Sequence, residues 1–326
     1  MSRLRVALAP CLVLLALIVA GCGDDDGDGG GGGGERKSIT LVQGVKGDEF
    51  YITMGCGAQE AARRLGVDLE ITGPDEFAAD AQTPVLNAVV AKKPDAILIA
   101  PTDSKAMFAP IQQASQAGIK IILVDTTLEN PDVAESQIAS DNVLGGRMAG
   151  EELLKLIGGS GKVMVENVKP GISTTDQRQQ GFEEAIEGKP GVEYLGTQFN
   201  DDRPDKAAAQ VKAQLAKDPD LKGIFAANLF SAEGSANGLR EAGKLGEVKM
   251  VGFDAGPAQV EQLEEGLVQA LIAQQPADIG SQGVEQAVNA LEGKPVKEKI
   301  TTGYVTVEKD QLDDPKVKAA LYKPAC

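Results

Sequence analysis

IASDNVLGGRMAGEELL, from Ile138 to Leu154, is the stretch from which the architecture of this chain can be read. A short apolar run ends at Ala139, and Ser140, Asp141 and Asn142 are all residue types that cap helix N-termini. A helical pattern follows, but its first turns are small: Gly145, Gly146, Ala149 and Gly150. Glycine costs about 1 kcal/mol relative to alanine inside a helix, so this cluster requires a packing reason. The reason expected is close approach to another backbone, as where a chain leaves one domain and enters the next.

On both sides of this point, strand-like apolar runs alternate with segments of helical period. Ile39–Gln43, Val67–Thr72, Ala96–Ala100 and Ile119–Val124 precede it; Lys162–Glu166, Val192–Gln198, Gly223–Ala227, Lys249–Gly252 and Val268–Ala273 follow. Helices are expected between them over 55–65, 83–92, 106–117, 175–187, 206–216 and 232–242, several closing on Gly66, Gly118 or Gly243 as C′ residues do. Such alternation predicts an α/β fold of parallel sheets covered on both faces. Two sets meeting near Ser140 predict two doubly wound lobes. In open parallel sheets ligands sit beyond the carboxyl ends of the strands. Those ends carry Pro101-Thr102-Asp103-Ser104, Asp125-Thr126-Thr127, Asn228 and Asp254-Ala255-Gly256-Pro257. They are polar and nearly free of cations, which suits a neutral polyhydroxy ligand, since adjacent hydroxyls offer a fork that one carboxylate or amide grips twice. Taken singly, each could equally be a helix cap.

Composition narrows the function. The chain has 326 residues, enough for two ordinary domains, with 42% hydrophobic and 25% charged residues. Its formal charge of −16 argues against nucleic acid as a partner, because phosphate repulsion would have to be overcome without a basic face. Histidine is absent, which removes the commonest general base and metal ligand and lowers the expectation of an enzyme. No metal site and no cofactor are expected.

At the amino end, Arg3 and Arg5 precede an apolar run from Val6 to Ala20 that is too short to span a bilayer. Val19-Ala20-Gly21-Cys22 resembles a bacterial lipobox, which implies a signal peptide over 1–21 and a diacylglycerol group on Cys22. Residues 23–34 are only Gly and Asp, so 22–36 reads as lipidated cysteine and tether, with a root-mean-square reach of roughly 20 Å. With Cys11 in the leader and Cys22 lipidated, Cys56 and Cys326 remain in an exported protein, where disulfides persist. A Cys56–Cys326 bond is expected, worth up to roughly 5 kcal/mol in the chain-entropy view. The alternative is a buried free Cys56 and a terminal thiol.

Four segments carry a more specific signal. IASDNVLGGRMAG (138–150), APTDSKAM (100–107), MVGFDAGP (250–257) and LIAQQPADIG (271–280) resemble, in the same order, those of the ribose-type periplasmic sugar-binding proteins. The resemblance covers about Ile39 to Val307. It implies the type I periplasmic binding protein fold, in which two Rossmann-like lobes joined by a three-strand hinge close over a ligand. Residues 37–140 with 275–302 would form the N-terminal lobe, and 141–274 with 303–326 the C-terminal lobe and tail. The hinge would pass near Ser140, Gln275 and Thr302.

Position by position, the resemblance makes Phe50 and Tyr51 the aromatics that sandwich a sugar ring. Asp125 and Asp254 become carboxylates that grip hydroxyls, Asn228 and Gln274 amide ligands, and Arg178 a second-lobe arginine reaching the ligand. Asp48 stands where the family has a ligand-binding Asn, in the GDEFY turn. Three departures alter the pocket: the family's Asn is lost at Ala100, its Arg at Thr126, and its second-lobe aromatic is replaced near Asp201. Ribose itself is therefore not the expected ligand more than another pentose, a hexose or a polyol.

The expected function is that of a receptor presenting a monosaccharide or polyol to the permease and ATPase subunits of an ABC importer. It would act as a monomer, attached to the membrane through its lipid anchor. The alternatives are a signalling receptor for a small molecule such as a quorum signal, and, less favoured, a glycosidase using Asp125 and Asp254 as its carboxylate pair. Tyr304–Val307 reads as a strand and Asp313-Asp314-Pro315 as a helix start, proline being tolerated in the first turn.

Overall fold

Alternation within the strands sets the layers. In β3 (Ala96–Ile99) every residue is fully buried, and successive side chains serve two different cores: Ala96 and Leu98 face one, Ile97 and Ile99 the other. The structure, a computed structural model, describes residues 36–326; the leader, Cys22 and the Gly/Asp run lie outside the described residues. Both faces of this sheet are covered. α1 (Glu49–Leu65) and α9 (Pro276–Leu291) pack on one side, α2 (Ala79–Lys92) and α3 (Phe108–Gln116) on the other.

The first sheet also contains β1 (Ser38–Val42), β2 (Asp68–Thr72), β4 (Lys120–Val124), β5 (Ser136–Ser140) and β11 (Lys299–Thr302), in the order β11-β5-β4-β3-β1-β2, all parallel. The second repeats this plan with β6 (Gly161–Asn167), β7 (Val192–Phe199), β8 (Leu221–Ala226), β9 (Lys249–Phe253), β10 (Ala270–Ala273) and β12 (Val305–Glu308). Its order is β12-β10-β9-β8-β6-β7, with only β12 antiparallel. Helices α4 (Asn142–Leu156), α5 (Ser173–Ile186), α6 (Pro204–Lys217), α7 (Leu229–Glu241) and α8 (Pro257–Glu265) wrap it, and α10 (Pro315–Ala320) follows β12. This is the two-lobed type I periplasmic binding protein fold.

The glycine cluster of the opening stretch meets the close approach it required. Asp141 caps α4, its Oδ1 accepting the Leu144 N–H at 3.1 Å. A Cβ on Gly146 would overlap the Arg178 carbonyl of α5, and one on Gly181 of α5 would overlap the Val143 carbonyl of α4. The two helices therefore touch backbone to backbone. In the first lobe α1 and α9 do the same through Gly57 and Gly280.

The chain passes between lobes after β5, after β10 and between β11 and β12. Ser140 ties these passages together, its hydroxyl lying 2.8 Å from Gln274 Oε1 and 3.1 Å from the Thr302 hydroxyl. Gln274, rather than Gln275, makes this contact; Gln275 occupies the N-cap position of α9.

Element boundaries differ from the sequence reading in an instructive way. α1 begins at Glu49, not near Gly55, so Phe50 and Tyr51 lie in a helical first turn instead of a loop. The signal is local: Asp48 Oδ1 accepts the Phe50 N–H at 2.7 Å, an N-cap bond. The end of the tail, placed with the second lobe from sequence, returns to the first. Cys326 is bonded to Cys56 of α1.

Candidate functional site

The carboxyl ends of both sheets face one another, and loops from each line a cavity between them. From the first lobe it is lined by Asp48, Phe50 and Tyr51 at the start of α1, by Phe77 before α2, and by Asp125 after β4. From the second come Val168, Ile172, Thr174, Thr175 and Arg178 around α5, with Asp202, Asn228 and Asp254 at later strand ends; Gln274 closes the hinge side. All eight ligand-binding candidates from the sequence therefore meet in one cavity. Phe77, Thr174, Thr175 and Asp202 were not singled out. Near the position where the second-lobe aromatic is expected to be replaced, Asp201 turns outward to an ion pair with Lys206 at 2.6 Å, whereas Asp202 lines the cavity.

Asp125 and Asp254 are held where their strands end by left-handed backbone, with φ of 63° and 77°. Asp tolerates this region better than most residues, though at a cost that tends to appear at functional positions. The Asp125 carboxylate accepts the Tyr51 phenol at 2.8 Å. Asp254 Oδ1 accepts from Gln274 Nε2 and from the Tyr322 phenol, each at 2.9 Å. Asn228 Nδ2 donates to Asp202 at 2.7 Å.

Tyr51 reaches Asp125 past Gly44, where any Cβ would overlap the phenol. Phe50 and Tyr51 meet edge to face, with ring centroids 5.2 Å apart, and Phe77 stacks along Tyr51 at 6.4 Å. This builds an aromatic wall suited to the apolar face of a sugar ring.

Arg178 is fixed from three directions. Its Nε donates to Asn142 Oδ1 and its Nη1 to the Ala227 carbonyl, both at 2.9 Å, and the guanidinium lies 3.8 Å over the Phe253 ring. Asn142 belongs to the first turn of α4, so the glycine-rich helix both admits α5 and orients its arginine. The Thr175 hydroxyl is buried without a protein partner beside the cavity. A ligand hydroxyl would satisfy it.

Four carboxylates, Asp48, Asp125, Asp202 and Asp254, line the cavity with a single guanidinium, that of Arg178. Burial raises Asp125 to about 6, partly offset by Arg178 and the Tyr51 hydrogen bond. Burial likewise raises Asp202 to about 6, with the Asn228 bond opposing it. Asp48 is pushed well above the ordinary carboxylate range by burial and by the charges of Asp202 and Asp254.

Direct bonds between lobes close the cleft. Lys169 Nζ donates to the Phe77 carbonyl at 2.9 Å, Ser104 N–H to the Gly171 carbonyl at 3.0 Å, and Thr127 N–H to the Ser173 hydroxyl at 2.9 Å.

Two α/β lobes that shut on a polar, aromatic-walled cavity define a binding protein that engulfs its ligand. Comparison with known proteins agrees. The family described as periplasmic binding protein domain matches residues 39–295. The ribose import binding protein of Salmonella typhimurium is 34% identical over 264 residues, covering 81% of this chain and 88% of that protein. The D-ribose/D-allose-binding protein of Pseudomonas aeruginosa is 31% identical, covering 80% and 84%. An ABC transporter solute-binding protein of Agrobacterium vitis, solved with α-D-tagatopyranose, superposes with a TM-score of 0.87 at 47% identity, covering 88% of this chain and all of that one. The chain belongs to the periplasmic binding protein family, and within it is a ribose-type sugar-binding protein. Proteins of this kind are receptors for transport rather than enzymes.

Proposed function

We propose that this chain captures a neutral monosaccharide in its pyranose form outside the cytoplasm and delivers it to the permease and ATPase subunits of an ABC importer. The observation that carries this reading is the convergence of Asp48, Phe50, Tyr51, Asp125, Arg178, Asn228, Asp254 and Gln274, drawn from both lobes, on one cavity. Carboxylates accept from sugar hydroxyls, Arg178 donates to them, and the ring face lies on Phe50 and Tyr51. Only the closed form makes both sets of contacts, so ligand shifts the lobes toward closure about Ser140, Gln275 and Thr302. With four carboxylates against one cation, sugar phosphates and sugar acids are excluded by charge.

A ketohexose of the tagatose kind is the favoured ligand. The support is the Agrobacterium vitis protein with its bound α-D-tagatopyranose and high identity. The moving units on this reading are 37–140 with 275–302 and 141–274 with 303–320, the end of the tail beyond Ala320 being tied to the first unit through Cys56–Cys326. Anchoring through a lipid on Cys22 rests on the lipobox-like Val19–Cys22 and the Gly/Asp run behind it. The working unit on this reading is a monomer, since a single chain supplies all eight candidates to the cavity.

Calorimetric titration with D-tagatose, D-ribose, D-allose and their deoxy and amino analogues tests the ligand. One-to-one saturable binding of a neutral hexose or pentose is expected; no heat from any member would overturn the reading. The carboxylate surplus favours one other class, a protonated amino sugar, and tighter binding of a hexosamine than of its parent sugar would replace the neutral ligand.

A further inference from the structure

The last part of the chain lies outside the 39–295 family match, yet it reaches the binding carboxylates. In α10, Val317 and Ala320 pack into the second lobe's core. The Tyr322 N–H then donates to the Ala255 carbonyl of that lobe at 3.0 Å, while its ring enters the first lobe's core, edge-on to Phe50 with centroids 5.9 Å apart. Lys323 N–H donates to the Thr53 hydroxyl of α1 at 2.8 Å, and Cys326 ends in the disulfide to Cys56. The tail is thus a fourth passage between the lobes, and its far end is covalent.

At the middle of this passage sits the Tyr322 phenol. It donates to Asp254 Oδ1 at 2.9 Å and accepts the Gln274 N–H at 3.0 Å. Gln274 Nε2 donates to the same Oδ1. With two donors on Oδ1, the carboxylate plane is fixed and Oδ2 remains to accept from a ligand hydroxyl. Burial and the neighbouring Asp254 charge raise Tyr322 well above its usual range, so it stays a donor.

We propose that Pro315–Cys326 is a disulfide-anchored strap and that Tyr322 is a positioning residue, which sets the Asp254 carboxylate for the ligand and owes its own place to the Cys56–Cys326 bond. The phenol does not line the cavity; it acts through Asp254. In an exported protein the bond persists, and reducing it frees the strap end from α1. The effect on affinity rests on the sugar-binding reading above.

The test is a double-mutant cycle, with affinities from calorimetry for a sugar the wild type binds. Tyr322→Phe keeps the ring against Phe50 and removes the hydroxyl; about a ten-fold or greater loss of affinity is expected for a hydrogen bond to a charged group. In an Asp254→Asn background the same substitution should cost nothing further. Reductant should weaken the wild type, while a Cys56→Ser/Cys326→Ser variant, already weakened, should be indifferent to it. Wild-type affinity in Tyr322→Phe, or a loss that adds in full to that of Asp254→Asn, would overturn the positioning role. Unchanged wild-type affinity with the disulfide demonstrably open would overturn the anchoring role. Thermal unfolding of the same four sugar-free proteins reads the Tyr322–Asp254 coupling without ligand. Absence of all sugar binding would therefore sink the receptor reading, while the melts would still decide whether the two residues are coupled.

Discussion

Asp125 and Asp254 are counterparts in the two halves of the molecule. Each is the first residue beyond a strand at the same place in its sheet, β4 or β9, and each has a left-handed backbone. Each also donates its N–H to a carbonyl of the next strand, Ile138 at 2.8 Å and Ile272 at 3.0 Å. The lobes thus present one carboxylate apiece to the cavity by the same local device.

Replacing either by Asn keeps a residue that tolerates φ above zero and removes the charge. Sugar affinity should fall about ten- to a hundred-fold, the worth of hydrogen bonds to a charged group. Stability should move the other way for Asp125→Asn. The carboxyl of Asp125 is raised to about 6 by burial, so its contribution to stability is full below the ordinary range near 4 and lost as pH rises through 6. The sugar-free variant should melt above wild type at pH 7.5 and level with it near pH 4. Asp125→Ala should be less stable than Asp125→Asn by roughly 1–2 kcal/mol, the cost of left-handed backbone for an ordinary residue. Titration calorimetry and thermal unfolding at the two pH values check both halves.

Gly146 and Gly44 act on the site without touching ligand. Gly146→Ala sets a methyl against the Arg178 carbonyl, so α5 must move away from α4 and take the arginine with it. About 1–3 kcal/mol of stability should be lost, as for other overpacking changes, together with most sugar affinity. Gly44→Ala meets the Tyr51 hydroxyl and the Phe77 ring instead, so affinity should fall further relative to stability. Denaturant unfolding set beside sugar titration distinguishes the two patterns.

How much of this was legible in advance divides along physical lines. Alternating apolar runs and C′ glycines revealed the two parallel sheets, because burial on both faces leaves a continuous hydrophobic signature. Asp125, Asn228 and Asp254 were recoverable because strand ends in such sheets converge by topology, whereas Asp48, Phe50, Tyr51, Arg178 and Gln274 were legible only through the family resemblance. Strands β5 and β11 carry no strand-length apolar run of their own; SQIAS and KITT are short and half polar, and each is paired in the sheet by a neighbouring strand. Phe77 and Thr175 enter the cavity from a loop and a helix start, with no periodic signal to mark them. Tyr322 was invisible as a neighbour of Asp254, being 68 residues away and outside any repeated pattern.

Glu166 offers a check on the second lobe that does not involve ligand. It is fully buried; Oε1 has no protein partner, and Oε2 accepts only the Asn200 amide at 3.2 Å. Burial raises it to about 8, with the Asn200 bond and the Lys206 charge opposing. Folding therefore favours the protonated acid: the stabilising contribution is complete below about 4.5 and is lost as pH rises through 8. Glu166→Gln should stabilise the protein by roughly 2–4 kcal/mol at pH 9 and have little effect at pH 4.5. Urea unfolding at both pH values checks this, and equal effects at both would show that Glu166 is not buried as an acid.

Small-angle X-ray scattering of the isolated body, sugar-free and saturated with D-tagatose or whichever sugar of the panel binds, tests the central claim most directly. Closure of two lobes on a bridging ligand predicts a smaller radius of gyration on saturation and a saturated curve that fits the closed arrangement described above. Superimposable curves with and without a bound sugar would contradict it.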